Sequence, residues 1–253
     1  MKIFITGASS GIGEALALHY ASPDTVLGLV ARREHVLHGL ADRLPGTTAC
    51  YPLDVADADA LSRAAADFIA RHGAPDVVVA SAGVSVGTLS EHAEDVAALR
   101  RVMDINVHGM AATFSPFIPA MRAARRGRLV GIASVAGIRG LPGAEAYSAS
   151  KAAAIAYLES LRLEMRGSGV RVVTICPGYI ATPMTAINPY RMPFLMPADE
   201  AARRFARIIA RGDSYAVVPW QMGVVAKFLR LLPNPLYDRL FAKAPRKPRG
   251  LPL

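Results

Sequence analysis

The chain alternates short runs of β-branched and apolar residues with longer stretches in which apolar positions recur every three or four residues. Val77-Val78-Val79 and Val172-Val173-Thr174-Ile175 are near-continuous apolar runs, as strands buried on both faces should be. Runs of this kind predict strands at 2–6, 26–31, 48–52, 76–80, 128–133, 170–176 and 215–218. The amphipathic stretches between them predict helices over 11–21, 33–43, 57–72, 92–125, 147–166 and 199–211. Strand and helix at this spacing imply a parallel sheet with helices on both faces. The fold class is therefore α/β, a single doubly wound domain on a seven-stranded parallel sheet. Composition shifts once, after Trp220, where the chain becomes rich in Pro, Leu and Arg. That break predicts a main domain over 1–219 and a basic, apolar extension over 220–253 packed on it. Within the extension, 222–232 reads as a helix that gathers Val224, Val225, Phe228, Leu229, Leu231 and Leu232, with Lys227 and Arg230 nearby.

Composition narrows the classes. The 253 residues are 52% hydrophobic and 19% charged, which supports a large core and excludes a disordered chain. The net charge of +9 is mostly Arg spread along the chain, with a denser set at Arg239, Lys243, Arg246, Lys247 and Arg249. No basic stripe is interleaved with aromatics, so nucleic acid is not an expected partner. A basic amphipathic segment such as 222–232 can lie on a membrane surface. Covering a cleft or packing in an oligomer interface is the more ordinary use of it. Cys50 and Cys176 sit in strand-like runs and read as buried thiols of a reducing compartment. A core strand starts almost at once and no stretch approaches roughly 20 uninterrupted apolar residues, so a cytoplasmic protein is expected. Six scattered histidines without ligand-like spacing give no reason to expect a metal centre.

The first strand runs into Thr6-Gly7-Ala8-Ser9-Ser10-Gly11-Ile12-Gly13 and directly into a helix. Glycines at 7, 11 and 13 let the backbone turn sharply and let a pyrophosphate approach peptide N–H groups. The helix N-terminus adds free donors and a partial positive charge. The second strand ends in Ala31-Arg32-Arg33, where a site for NAD usually carries Asp or Glu. Two guanidiniums suit a phosphate and, at a helix start, oppose the helix dipole. NADP (NADPH) is the expected cofactor.

Tyr147-Ser148-Ala149-Ser150-Lys151 opens a predicted helix. Residues four apart lie on one helix face, about 5–6 Å apart at Cβ, so the phenol and the ammonium can serve one site. Ser134 ends the fifth strand at the sheet edge where α/β proteins bind ligands. Asn106 interrupts an otherwise helical pattern, and Asn is a poor helix former.

The turn spacing Thr-Gly-x-x-x-Gly-x-Gly, with Asn106, Ser134, Tyr147 and Lys151 in order behind it, resembles the short-chain dehydrogenase/reductase family in its single-domain branch of about this length. The resemblance implies a Rossmann-type fold and a hydride transfer between NADP(H) and a carbonyl or alcohol. It makes Tyr147 the proton donor and acceptor, Ser134 a hydrogen-bond donor to the substrate oxygen, and Lys151 the residue that holds the ribose and lowers the tyrosine pKa. Asn106 would position a relay water. Cofactor contacts are implied for Gly7, Ser9, Ser10, Gly11, Ile12, Gly13, Arg32, Arg33, Asp54, Val55, Ala82, Gly83, Tyr147, Lys151, Pro177, Gly178, Ile180 and Thr182. One departure stands out: the family's Asn-Asn-Ala-Gly is Ala80-Ser81-Ala82-Gly83 here, which puts the stiffness of that segment in doubt. Long helices around Asn106 and Tyr147 resemble those that build the family's dimers and tetramers, and the resemblance implies a homodimer or homotetramer. Met184, Ile187, Tyr190, Met192, Phe194, Leu195 and Met196 favour an apolar small-molecule substrate. A sensor that binds NADP(H) on the same fold without turnover is the alternative, against which the intact Ser134, Tyr147 and Lys151 argue.

Overall fold

In the computed structural model, which describes residues 1–250, the apolar runs pair as a parallel sheet of seven strands. These are β1 (Lys2–Thr6), β2 (Val26–Ala31), β3 (Thr47–Pro52), β4 (Val77–Ala80), β5 (Gly127–Ile132), β6 (Val170–Pro177) and, after a two-stranded excursion of β7 (Ile180–Ala181) and β8 (Met196–Pro197), β9 (Tyr215–Val218). Their order is β3-β2-β1-β4-β5-β6-β9. The helices are α1 (Gly11–Tyr20), α2 (Glu34–Ala41), α3 (Ala58–His72), α4 (Ala93–Met103), α5 (Gly109–Phe114), α6 (Ile118–Ala123) and α7 (Glu145–Glu164). There follow the single-turn α8 (Pro183–Ala186), α9 (Ala198–Arg211), α10 (Trp220–Leu231) and α11 (Asn234–Phe241). Residues 251–253, the end of the expected extension, lie outside the described residues.

Alternation along each strand decides which helix layer a side chain serves. Ile3 and Ile5 pack with Leu16, Ala17, Phe205 and Ile209 on the face covered by α1 and α9. Phe4 points the other way, its ring centre 5.5 Å from Phe68 of α3 and 4.7 Å from Phe117. Val77 and Val79 divide from Val78 and Ala80 in the same sense. Burying each large apolar side chain on these faces contributes about 1.5–3 kcal/mol, so strand and helix side chains together hold both layers.

Three expectations need correction. The stretch 92–125 is not one helix: α4 passes into a π turn over Asp104–His108, then α5, a 3-10 turn at Ser115–Phe117, and α6. Pro116, which lacks an N–H, accounts for the 3-10 turn, and the π turn places Asn106. Cys50 is only half-buried because β3 is the edge strand, whereas Cys176 on interior β6 is fully buried. In 222–232 the gathered apolar residues are not the packed ones: Met222 and Ala226 are buried, while Val224, Phe228 and Leu231 are exposed. Among the described residues no helix is long and apolar enough to cross a membrane.

Candidate active site

Thr6 pairs with Val30 on one side and Ala80 on the other, so β1, β2 and β4 end in one row. The loops that follow them open on the same side, where the strand order reverses and α/β sheets accept ligands. A cleft of about 290 Å³ lies there. Gly7 and Gly11 take φ of 72° and 59°, the left-handed region that glycine enters without strain. A Cβ on Gly7 would stand 2.8 Å from the Ala82 backbone, so the turn is pressed against the segment after β4. Gly13, expected at the cofactor, does not line the cleft. Its missing Cβ would lie 2.2 Å from the Gly7 carbonyl, which makes it the residue that lets α1 begin tight against the turn. Ser10 occupies the N-cap of α1 but its side chain does not cap. The donors of the first turn, with the positive end of the helix dipole, therefore open onto a cleft lined by Ser9, Ser10, Gly11 and Ile12.

Both Arg32 and Arg33 reach this end of the cleft. Arg33 donates to the Ser9 carbonyl (3.1 Å) and hydroxyl (3.0 Å), tying the end of β2 to the glycine turn. Asp54 and Val55 line the same end. Burial pushes the Asp54 carboxyl up, but the Ala56 N–H and the Arg101 and Arg32 guanidiniums together hold it below its ordinary value. Arg101, which bonds Asp54 directly, had no signal in the sequence. The donor set at this end, free helix N–H groups and two guanidiniums, suits a polyphosphate with an additional terminal phosphate.

At the other end stand Ser134, Tyr147 and Lys151, with Ala82, Gly83, Pro177, Gly178, Ile180 and Thr182 completing the wall. Ser134 lies two residues past β5, and its hydroxyl accepts from the Ala136 N–H. Burial pushes the Tyr147 phenol above its ordinary value, and the hydrogen bond with Ser134 draws it back only in part. The lowering expected from Lys151 is absent: its ammonium lies 5.8 Å from the Tyr147 ring centre and donates instead to the Ile132 carbonyl at 2.8 Å. Lys151 is itself buried and its pKa is lowered to about 8.

That shift has a consequence for stability. In the unfolded chain the ammonium keeps its proton to near its ordinary value, so folding opposes it fully below about pH 8 and less above. Lys151→Met should therefore melt at a higher temperature than the parent at pH 7, and the gap should shrink steadily towards pH 9.5 on the order-of-magnitude expectation for a lysine. Thermal melts across that range check it; a gap independent of pH would contradict the burial of a charged lysine.

Asn106 does not touch the cleft. It is wholly buried, accepting from the Val84 N–H (2.8 Å) and donating to the Val84 carbonyl (3.0 Å) and the Ser150 hydroxyl (2.9 Å). Ser150 in turn donates to the Tyr147 carbonyl at 2.8 Å. Asn106 thus braces the loop after β4 against α7. Thr6 adds a second stitch, donating to Val79 (3.5 Å) and accepting from Ala82 (3.4 Å). These two anchors answer the doubt raised by Ala80 and Ser81, and Thr6 was overlooked because it read only as part of the turn motif. Of the apolar loop, Met184 reaches the cleft, together with its neighbours Pro183 and Thr185; Met196 is buried, and Ile187, Phe194 and Leu195 face outward.

The comparisons with known proteins agree with this architecture. A family model described as short chain dehydrogenase matches residues 1–190. The chain is 42% identical over 237 residues to an uncharacterized oxidoreductase of Myxococcus xanthus (strain DK1622), covering 92% of this chain and 93% of that protein. It is 37% identical over 187 residues to 11-beta-hydroxysteroid dehydrogenase A of Arachis hypogaea, covering 72% of this chain and 53% of that one. Among solved structures, a 3-oxoacyl-[acyl-carrier protein] reductase with bound NAD from Brucella melitensis superposes with a TM-score of 0.74 at 30% identity, over 86% of this chain and 88% of that one. With three quarters of its length matched by the family model and its sheet that of a Rossmann fold, the chain belongs to the short-chain dehydrogenase family.

Proposed function

We propose that this oxidoreductase moves a hydride between NADP(H) and the carbonyl or alcohol carbon of an apolar substrate, with Tyr147 as general acid and base. The observation that carries the reading is the convergence of Ser134, Tyr147 and Lys151 on one end of a cleft whose other end offers free helix donors and two guanidiniums. Family members bind nicotinamide cofactors, and the reduced ring supplies the hydride. Tyr147 donates its proton to the substrate oxygen. Burial raises the Tyr147 phenol, so it carries the proton that reduction of a carbonyl calls for, and the same groups serve the reverse reaction. Ser134 donates to the same oxygen as charge develops there. Lys151 holds the ribose, and Asn106 positions these groups by bracing α7 against the β4 loop. For oxidation Tyr147 must give up its proton first, and with Lys151 turned to the Ile132 carbonyl, burial of the phenol opposes that step.

The preference for NADP rests on Arg32 and Arg33 and on the lack of a carboxylate at the end of β2. Relatives differ here, since the Brucella reductase carries NAD. An apolar substrate is supported by the Met184 wall and by the hydroxysteroid dehydrogenase name of the Arachis relative. In this reading 1–219 carries the cofactor and catalytic residues, 220–250 backs the cleft, and α4–α7 supply the faces of a homodimer or homotetramer. A panel of ketones, aldehydes and alcohols assayed with NADPH against NADH tests the proposal. We expect turnover of apolar carbonyls with NADPH preferred; no turnover with any carbonyl would make the protein a sensor.

A further inference from the structure

The inner face of α10 belongs to the domain: Met222 packs so close to Gly178 that a Cβ there would stand 2.7 Å from its side chain, and Gly178 lines the cleft. The outer face has no such partner. Trp220, Val224, Phe228 and Leu231, at spacings of four, four and three, share one side of the helix. They are heavily exposed, Trp220 at 67% and Leu231 at 84%. On α11, Leu236 and Leu240 are exposed as well. Between Ser214 and Gly250 the chain carries seven Lys or Arg and a single acid, Asp238. Arg249 is paired with Glu94 and Asp95, and Lys247 is buried with its ammonium on the Met184 carbonyl. Lys227, Arg230, Arg239, Lys243 and Arg246 all remain exposed.

From this arrangement we infer that α10 and α11 form a docking surface for an anionic lipid bilayer. An outward stripe of Trp, Phe and Leu bordered by Lys and Arg is the pattern of a helix lying in the headgroup plane, and each basic side chain near an anionic surface adds to the attraction. A second copy of the chain is the poorer occupant. A two-fold contact through the stripe would crowd the exposed Lys227 and Arg230 of both copies into one interface, where Asp238 is the only acid of this segment to compensate. Nucleic acid would leave Leu231 and Leu240 without a function.

The docking surface is bolted to the substrate side of the molecule. Arg139 donates to the carbonyl of Leu232 (2.7 Å) and to Asn234 (3.1 Å), and its guanidinium lies 3.9 Å from the Tyr237 ring centre. Tyr237 donates to the Gly140 carbonyl at 2.6 Å. The loop that carries Arg139 and Gly140 leads into α7 and Tyr147. A bilayer under α10 would therefore lie against the helix whose Met222 touches Gly178 of the cleft wall.

Trp220 is the one tryptophan of the chain, so its fluorescence reports on the stripe directly. The whole protein is mixed with vesicles of phosphatidylcholine alone, or of equal parts phosphatidylcholine and phosphatidylglycerol, then sedimented. We expect a blue shift and co-sedimentation with the anionic vesicles, weak binding to the neutral ones, and release by high salt. Phe228→Glu with Leu231→Glu should abolish binding while the melting temperature holds, since both side chains are exposed. Lys227→Glu with Arg230→Glu should weaken it by roughly tenfold or more. Protein left in the supernatant with both vesicle types would overturn the inference. So would a dimer in vesicle-free buffer that Phe228→Glu dissociates, because the stripe would then be an interface between copies.

Discussion

Tyr147→Phe is expected to lower turnover by roughly 100- to 10,000-fold, the usual span for loss of a general acid, with NADPH affinity changed little. The substitution removes one hydroxyl and keeps the ring, which lies on α7 between the Ser134 and Lys151 groups at the cleft wall. No backbone bond depends on that hydroxyl, and the Ser150 bond to the Tyr147 carbonyl persists. The cofactor is proposed to be held by the glycine turn, the arginines and Lys151, which the change leaves in place. Steady-state rates and a direct titration with NADPH separate the two effects. A Phe variant of normal rate would remove Tyr147 from the chemistry; one that lost NADPH binding as well would point to a structural role.

Arg32→Ala with Arg33→Ala should weaken NADPH far more than NADH. A hydrogen bond to a charged group contributes about 1.5–3 kcal/mol, so loss of each guanidinium should cost roughly ten- to a hundredfold in Kd. Arg33 also bonds Ser9, so the pair of single variants is informative. Arg32→Ala should affect NADPH alone, whereas Arg33→Ala should loosen the glycine turn and weaken both cofactors somewhat. Equal losses for NADPH and NADH in the Arg32 variant would mean that the side chain does not read the additional phosphate.

The layers of the fold were legible because strand periodicity and strand burial are set by the same residues. Ile3, Phe4 and Ile5 alternate, and each meets the layer its position demands. The cleft was legible for a related reason. Most of its residues lie in loops directly after strands, and parallel strands of similar length bring those loops to one edge. What the pattern could not show was geometry within a turn or beyond one element. Asn106 stood out as a poor helix former, but nothing in its neighbours announced a π turn or the contact with Val84 across the fold. Gly13 matched the phosphate motif and proved to be the point where α1 closes on Gly7. The orientation of α10 was also hidden, because Met222 and Ala226 and the stripe opposite are all apolar and so carry no contrast.

The proposed reaction is hydride transfer from NADPH to a carbonyl carbon with the proton supplied by Tyr147. NADPH deuterated at the transferable position of the nicotinamide tests it most directly, incubated with the best carbonyl of the panel and followed by mass spectrometry of the alcohol. One deuterium is expected on the carbinol carbon, delivered to a single face, with roughly a hundredfold less labelled alcohol or lower from Tyr147→Phe in the same time. An alcohol formed without deuterium, or formed equally well by the Tyr147→Phe variant, would contradict it.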